Sequence, residues 1–411
     1  MRFGVFYELQ MPKPWSADHE HRIFKEALEQ IEVADREGID CAWATEHHFL
    51  EEYAHCSAPE ILLAAAASRT KRIRLGHGIR HVIAKTNHPA RVAEMLGALD
   101  LVSDGRVEFG FGEGSSRLEL GGFDIREADK RPMALEAAEQ IANMMAMSPY
   151  PGYEGASFSF PCRNVLPKPL QKPHPPMWMA CTNRETIRVA ATLGVGALAF
   201  SFLEPEETKK WVDIYYETIK SDKCMPIGHA VNANIALVSG FSLHHNREEA
   251  IRRGQEGFEF FGYAIRAMRT QDFRPGLSRL WELFQERKSG ERELKLGLDV
   301  MTAAPGIGTP SEMREHIREY SKLGVDQMIF LQQAGNARHE HICESLELFG
   351  CEVLPEFAAV REEADRRKRG ELAPYVEAAM ERKKWMPALT PETTPIVEAL
   401  ARDLEGKVTT T

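Results

Sequence analysis

The feature that most limits what this chain can become is an alternation of extended and helical segments running through most of its 411 residues. Short apolar runs read as strands at Arg2–Tyr7, Asp40–Ala44, Ile73–Leu75, Val107–Phe111, Met177–Ala180, Ala197–Phe200, His229–Val238 and Gln327–Leu331. Helical spacing separates most of them. The first helix, His19–Glu37, repeats Ile23, Ala27, Ile31 and Ala34 on one face and stops at Gly38. Further helices are read at Pro59–Arg69, Pro89–Ser103, Asp129–Met147, Asn183–Leu193, Pro205–Lys220, Asn246–Phe261, Ser311–Leu323 and His339–Phe349. Strands joined through helices pair in parallel by right-handed crossovers, and eight such repeats favour closure into a (β/α)8 TIM barrel over an open sheet.

Three stretches depart from the alternation. Residues 148–176 hold eight prolines and a possible hairpin at Tyr153–Phe160, an insertion after strand 4. Residues 262–299 are charged, yet carry Leu277, Leu280, Trp281 and Phe284 on one helical face; this insertion after strand 7 reads as a lid or as a surface helix packed on the barrel. Beyond the barrel, 1–357, residues 358–411 form a charge-rich C-terminal extension with Pro387, Pro391 and Pro395.

Composition excludes some classes of function. A net charge of -10 without clustered Lys or Arg speaks against nucleic acid and anionic membranes. The longest small-apolar run, Ile61–Ala67, is too short to span a bilayer, and the N-terminus reads as a strand, not a signal peptide. Seven scattered cysteines with no C-x-x-C fit neither a disulfide framework nor a structural zinc site. The expectation is a cytoplasmic protein with no metal, since the histidine pairs 19/21, 77/81, 244/245 and 339/341 lack a third ligand at a strand end.

In such a barrel the active site lies at the C-terminal ends of the strands. Strand 2 runs into Glu46-His47-His48-Phe49, a set suited to acid–base work because imidazole titrates near neutrality. Neighbours in extended chain point oppositely, so one histidine at most faces a pocket; two satisfied structural histidines would give the same residues. Strand 4 runs into Gly110-Phe111-Gly112-Glu113-Gly114, where glycines allow close approach of a ring or phosphate, or simply form a tight turn. Strand 5 ends in Ala180-Cys181-Thr182-Asn183, and Thr182 with Glu185 fits a capping box whose free N–H groups could hold phosphate or only cap a helix.

Gly38–Gly122 resembles the bacterial luciferase-like family of flavin-dependent monooxygenases. The resemblance rests on Gly38 to Phe49, Ile73-Arg74-Leu75-Gly76, His88-Pro89, Leu99-Asp100 and Ser103 to Gly110 in matching order and spacing, with weaker likeness through Pro176–Ala191 and Gly306–Phe357. It implies an enzyme that takes reduced FMN from a separate NAD(P)H:flavin reductase and activates O2 as a C4a-(hydro)peroxyflavin. One oxygen atom then enters a small, apolar or aromatic organic substrate. It implies His47 as the catalytic histidine, flanked by Glu46 and His48. It implies a flavin seat at Gly78, Ile79 and Gly112, a cis peptide at Gly78-Ile79, phosphate contacts at Arg131, Ala180, Cys181, Thr182 and Asn183, and a homodimer. Two positions depart from the family pattern: Gly112 replaces a reactive cysteine, widening the pocket, and Glu113 replaces a phosphate-binding arginine, so that Arg117 or Arg184 would have to substitute. The alternatives are an F420-dependent hydride-transfer oxidoreductase on the same barrel and a non-catalytic flavin-binding barrel.

Overall fold

The computed structural model describes residues 1–199, 203–290 and 306–398. Eight parallel strands close on themselves: β1 (Arg2–Tyr7), β2 (Cys41–Ala44), β3 (Arg74–His77), β4 (Val107–Gly112), β5 (Met177–Cys181), β6 (Gly196–Ala199), β7 (Ile235–Ser239) and β8 (Gln327–Gln332). β1 pairs with both β2 and β8, and β3 pairs with β4 through Leu75 opposite Val107, which shuts the cylinder. Helices α1 (His19–Glu37), α2 (Pro59–Arg69) and α3 (Pro89–Val102) follow the first three strands. After β4 come the short α4 (Arg117–Gly122) and then α5 (Lys130–Ala146). α6 (Arg184–Thr192) and α7 (Pro205–Ile219) follow β5 and β6, and α8 (Arg247–Thr270), α9 (Leu280–Lys288) and α10 (Pro310–Lys322) lie between β7 and β8. α11 (His339–Glu352) and α12 (Leu354–Arg382) complete the chain of helices.

Strand alternation sorts the core into two layers. Phe3, Val5 and Tyr7 of β1 and Met328 and Phe330 of β8 point outward under the helices, whereas Phe6, Trp43, Trp178, Ile329 and Leu331 belong to the inner layer. Trp43 and Trp178 meet edge to face inside the cylinder, ring centroids 5.5 Å apart. Gly76 and Gly196 make room for them, since a Cβ at either would lie 2.3 Å from an indole ring. The barrel is therefore filled, not hollow, and its free space is confined to the ends.

Some expected boundaries shift. His229–Asn234 is irregular, and β7 begins only at Ile235. α8 does not stop at Phe261 but runs to Thr270, because Phe261, Ala264, Ala267 and Met268 extend its apolar face. The lid expectation, 262–299, thus covers the end of α8 and all of α9, and its last nine positions lie outside the described residues. The hairpin in the proline-rich insertion is present as Tyr153–Glu154 paired with Ser159–Phe160. The C-terminal extension opens as the long helix α12, which crosses the N-terminal end of the barrel. Lys368 reaches Asp326 at 2.5 Å and Asn234 at 2.8 Å, and Arg361 pairs with Asp40.

Candidate active site

At the C-terminal mouth a cavity of about 1080 Å³, partly open to solvent, is walled by Phe6, Ile79, Phe111, Met179, Phe261, Ile265 and Met268 among others. Its polar side chains are Glu8, Thr45, His47, Tyr53, His81, Glu113, Ser115, Lys130, Arg131, Thr182, Thr186 and Arg269. An apolar cleft with a few converging polar groups is the usual form of a site for a small molecule.

His47 stands at the centre of these groups. Strand parity carries it inward, and its backbone N–H is fixed by the Cys56 carbonyl at 2.9 Å. Nδ1 donates to Glu119 Oε1 at 2.9 Å, while Nε2 lies 3.5 Å from Glu8 Oε2. Both carboxylates are nearly inaccessible, with side-chain exposures of 1% and 4%. Burial alone would lower the His47 pKa, but Glu119 and then Glu8 outweigh it and hold it up at about 9. Burial pushes Glu8 up to about 7, against the pull of His47 and of the Tyr53 hydroxyl, which donates to Glu8 at 2.8 Å. Glu119 is kept below the ordinary carboxylate range: its burial is overcome by His47 and by the His48 backbone N–H at 3.0 Å. At neutral pH the cavity wall therefore carries an imidazolium clamped between two carboxyl groups.

Glu46 and His48 turn the other way and do not line the cavity. His48 Nε2 donates to Glu46 Oε1 at 2.9 Å. Glu46 also accepts from Asn87 and from the His81 backbone, both at 2.8 Å. Burial would raise Glu46, yet His48, Arg80 and His81 hold it at about 2. Its role here is to tie the end of β2 to the chain after β3. That chain contains the cis Gly78–Ile79 peptide, and both residues line the cavity.

Of the remaining positions, Gly112, Arg131, Ala180 and Thr182 line the cavity, whereas Cys181 and Asn183 do not. Cys181 is buried, its thiol directed to the Thr186 carbonyl at 3.3 Å. The cap of α6 is Asn183 with Thr186, one residue later than the expected Thr182 and Glu185, as suits the stronger capping preference of Asn. The space a side chain at Gly112 would take is filled by Ile79, whose Cδ1 would lie 2.7 Å from a Cβ there, so the glycine does not widen the pocket. Of the two arginines expected to substitute, Arg184 pairs with Glu207 of α7 at 2.5 Å, whereas Arg117 is exposed at the outer mouth of the cavity.

Sequence reasoning missed Glu8, Tyr53 and Glu119, and it set His81 aside with His77 for want of a third ligand, whereas the fold brings His81 to His47 and Glu119. Glu8 immediately follows β1 and could have been found by the same strand-end rule; Glu119 sits on α4, and nothing in the spacing ties it to His47. Ring nitrogens of His47 and His81 and a Glu119 oxygen lie within 4.8 Å of one another, a set able to ligate a transition metal. A metal there would have to displace the proton held on His47. The apolar walls suit a flavin ring, and three buried polar atoms of the cluster, Glu8 Oε2, His81 Nε2 and Glu119 Oε2, have no hydrogen-bond partner among the described residues.

A family model described as luciferase-like monooxygenase matches residues 1–327. The oxygenase component of the flavin-dependent trigonelline monooxygenase of Acinetobacter baylyi is 26% identical over 391 residues, covering 89% of this chain and 98% of that protein. A monooxygenase structure from Streptomyces bottropensis superposes with a TM-score of 0.70 at 26% identity, covering 87% of this chain and all of that one. The F420-dependent tetrahydromethanopterin reductase of Methanopyrus kandleri shares the fold at a TM-score of 0.63 and 21% identity, over 87% of this chain and 99% of that one.

Proposed function

This chain belongs to the luciferase-like monooxygenase family, and from that premise we propose that it is the oxygenase of a two-component system. It would take reduced FMN from a separate reductase and oxygenate an apolar or aromatic small molecule. The observation that carries the reading is His47, held protonated between Glu119 and Glu8 on the wall of the cavity.

When bound, reduced flavin supplies the electrons with which O2 is activated for transfer of one oxygen atom to the substrate. Gly78, Ile79, Gly112 and Ala180 would seat the ring. His47 offers a proton at the cavity wall, and Glu119 fixes its ring by accepting from Nδ1. Glu8, with Tyr53 donating to it, is a second site for that proton, because its pKa of about 7 lies close to neutrality. Phe261, Ile265 and Met268 of α8 exclude water from above. α9 packs behind them, with Trp281 and Phe284 against Phe260 at 4.9 and 5.5 Å. This cover is pinned by Glu52, which accepts from the backbone of Leu280 at 2.7 Å and of Trp281 at 3.0 Å.

The test is anaerobic titration with reduced FMN and, separately, reduced F420, followed by mixing with O2 and a panel of aromatic and aliphatic substrates under an 18O label. Saturable binding of reduced FMN and label in a product are expected. Turnover with F420 in the absence of oxygen would replace this reading with hydride transfer, and flavin binding without any turnover would make the protein a carrier.

A further inference from the structure

At the far end of the same cavity, Glu113 follows β4 directly and lines both the cavity and its outer mouth. Arg131 of α5 gives it both arms of the guanidinium, Nε at 3.1 Å from Oε2 and Nη2 at 3.2 Å from Oε1. A planar fork that chelates one carboxylate is not available to chelate a phosphate. The neighbouring cation is also engaged: Lys130 lies 2.7 Å from Glu127 and 3.9 Å from Glu113, and donates to the Gly114 carbonyl at 3.1 Å. Glu185, in the first turn of α6, adds a third carboxylate acting on Arg131. Lys130 and Arg131 are thus both engaged by carboxylates, while Arg117 and Arg269 line the outer mouth beyond them.

The start of α6 gives little compensation through its cap residues. The backbone N–H groups of Thr182 and Asn183 already donate to Thr186 Oγ1 at 3.0 and 3.2 Å, and that of Thr186 donates to Asn183 Oδ1 at 2.9 Å. These three donors of the helix start are thus spent on its own cap.

We propose that Glu113 sets the cofactor selectivity of this site by keeping Arg131 in an internal ion pair, so that the flavin ring is bound with little added affinity for the phosphate. The inference rests on the flavin reading above. Its consequence is a site that accepts riboflavin about as readily as FMN and gives FMN up easily. That behaviour suits a protein that exchanges flavin with a reductase, and it sets this chain apart from a barrel that grips its cofactor by the phosphate.

Anaerobic titration calorimetry with reduced FMN and reduced riboflavin tests this without any substrate. The wild-type protein should bind the two within about threefold of each other. Glu113→Gln, which keeps the shape and removes the charge, should tighten FMN by about tenfold or more and leave riboflavin unchanged, in line with the strength of a charge-assisted hydrogen bond. Adding Arg131→Gln should abolish that gain. A wild-type preference for FMN above about thirtyfold, or an E113Q protein with an unchanged ratio, overturns the proposal while leaving the flavin reading standing. If neither flavin binds, the flavin reading itself falls and the proposal with it.

Discussion

Glu119→Gln isolates the charge that keeps His47 protonated. The amide can still accept from His47 Nδ1, now at 2.9 Å, and from the His48 backbone at 3.0 Å, so the ring stays in place and only the anion is lost. The distance between the ordinary histidine value of 6.5 and about 9 corresponds to roughly 3 kcal/mol in favour of the imidazolium. Glu119 supplies the largest favourable share and Glu8 the next. Removing Glu119 should therefore bring His47 down by about one pH unit or more, towards 6.5. The alkaline limb of kcat/KM, measured from pH 6 to pH 10, should move down by the same amount, as should the His47 ring nitrogens followed by NMR. Stability should follow with a definite sign. A raised histidine pKa contributes stability that is complete below 6.5 and lost as pH rises through about 9; the lowered pKa of Glu119 contributes stability that is lost as pH falls. The Tm gap between wild type and variant should thus be widest from about pH 5 to pH 7 and should narrow above pH 9. The three groups titrate together, so the observed values belong to the cluster. A wild-type His47 titrating near 6.5, or an alkaline limb that does not move in the variant, would refute the reasoning.

Three further outcomes are expected. Glu52→Ala removes the acceptor for the Ser278 hydroxyl and for the Leu280 and Trp281 backbones, so hydrogen exchange in residues 278–288 should speed up by about tenfold or more while the barrel strands are unaffected. Gly110→Ala would place a Cβ 2.0 Å from the His77 carbonyl oxygen and should lower Tm strongly, by the equivalent of about 3 kcal/mol; Gly121→Ala, with nothing within 4 Å, should leave Tm nearly unchanged in the same melts. Lys368→Met leaves Asp326 without its α12 cation and should cost about 3 kcal/mol in urea unfolding, and a negligible cost would mean that α12 merely rests on the barrel.

The barrel was legible because eight short apolar runs, buried on both faces, and their intervening helices leave few ways to bury an apolar face, and local pattern carries that information. The cluster around His47 was only half legible, because it is assembled across the sequence. His47 could be singled out from its place after β2, but the carboxylate that charges it is 72 positions away on a six-residue helix with no periodic signal. The three glycines at the end of β4 and just after it show the same limit. Read in sequence they suggest close approach by a cofactor. In the fold, Gly110 gives way to the His77 carbonyl, Gly112 to the Ile79 side chain, and Gly114 turns at φ 76° beside His81. Each glycine accommodates the chain that follows β3, the segment bearing the cis peptide and anchored by Glu46.

That arrangement explains why Glu46, His47 and His48 stand together although only one of them reaches the cavity. A histidine held between two buried carboxyls works only if the wall behind it cannot yield, since a loosened ring would let water screen the charges that hold its proton. Glu46 and His48 build that wall from the opposite face of the same extended segment: His48 holds Glu46, which accepts from Asn87 and from the His81 backbone and so fixes His81 next to Glu119. Alternation along one strand end thus places the proton donor on one side and its support on the other. The inward residue should respond to substitution chiefly through the pH profile, and the outward pair chiefly through loss of flavin binding and of Tm together.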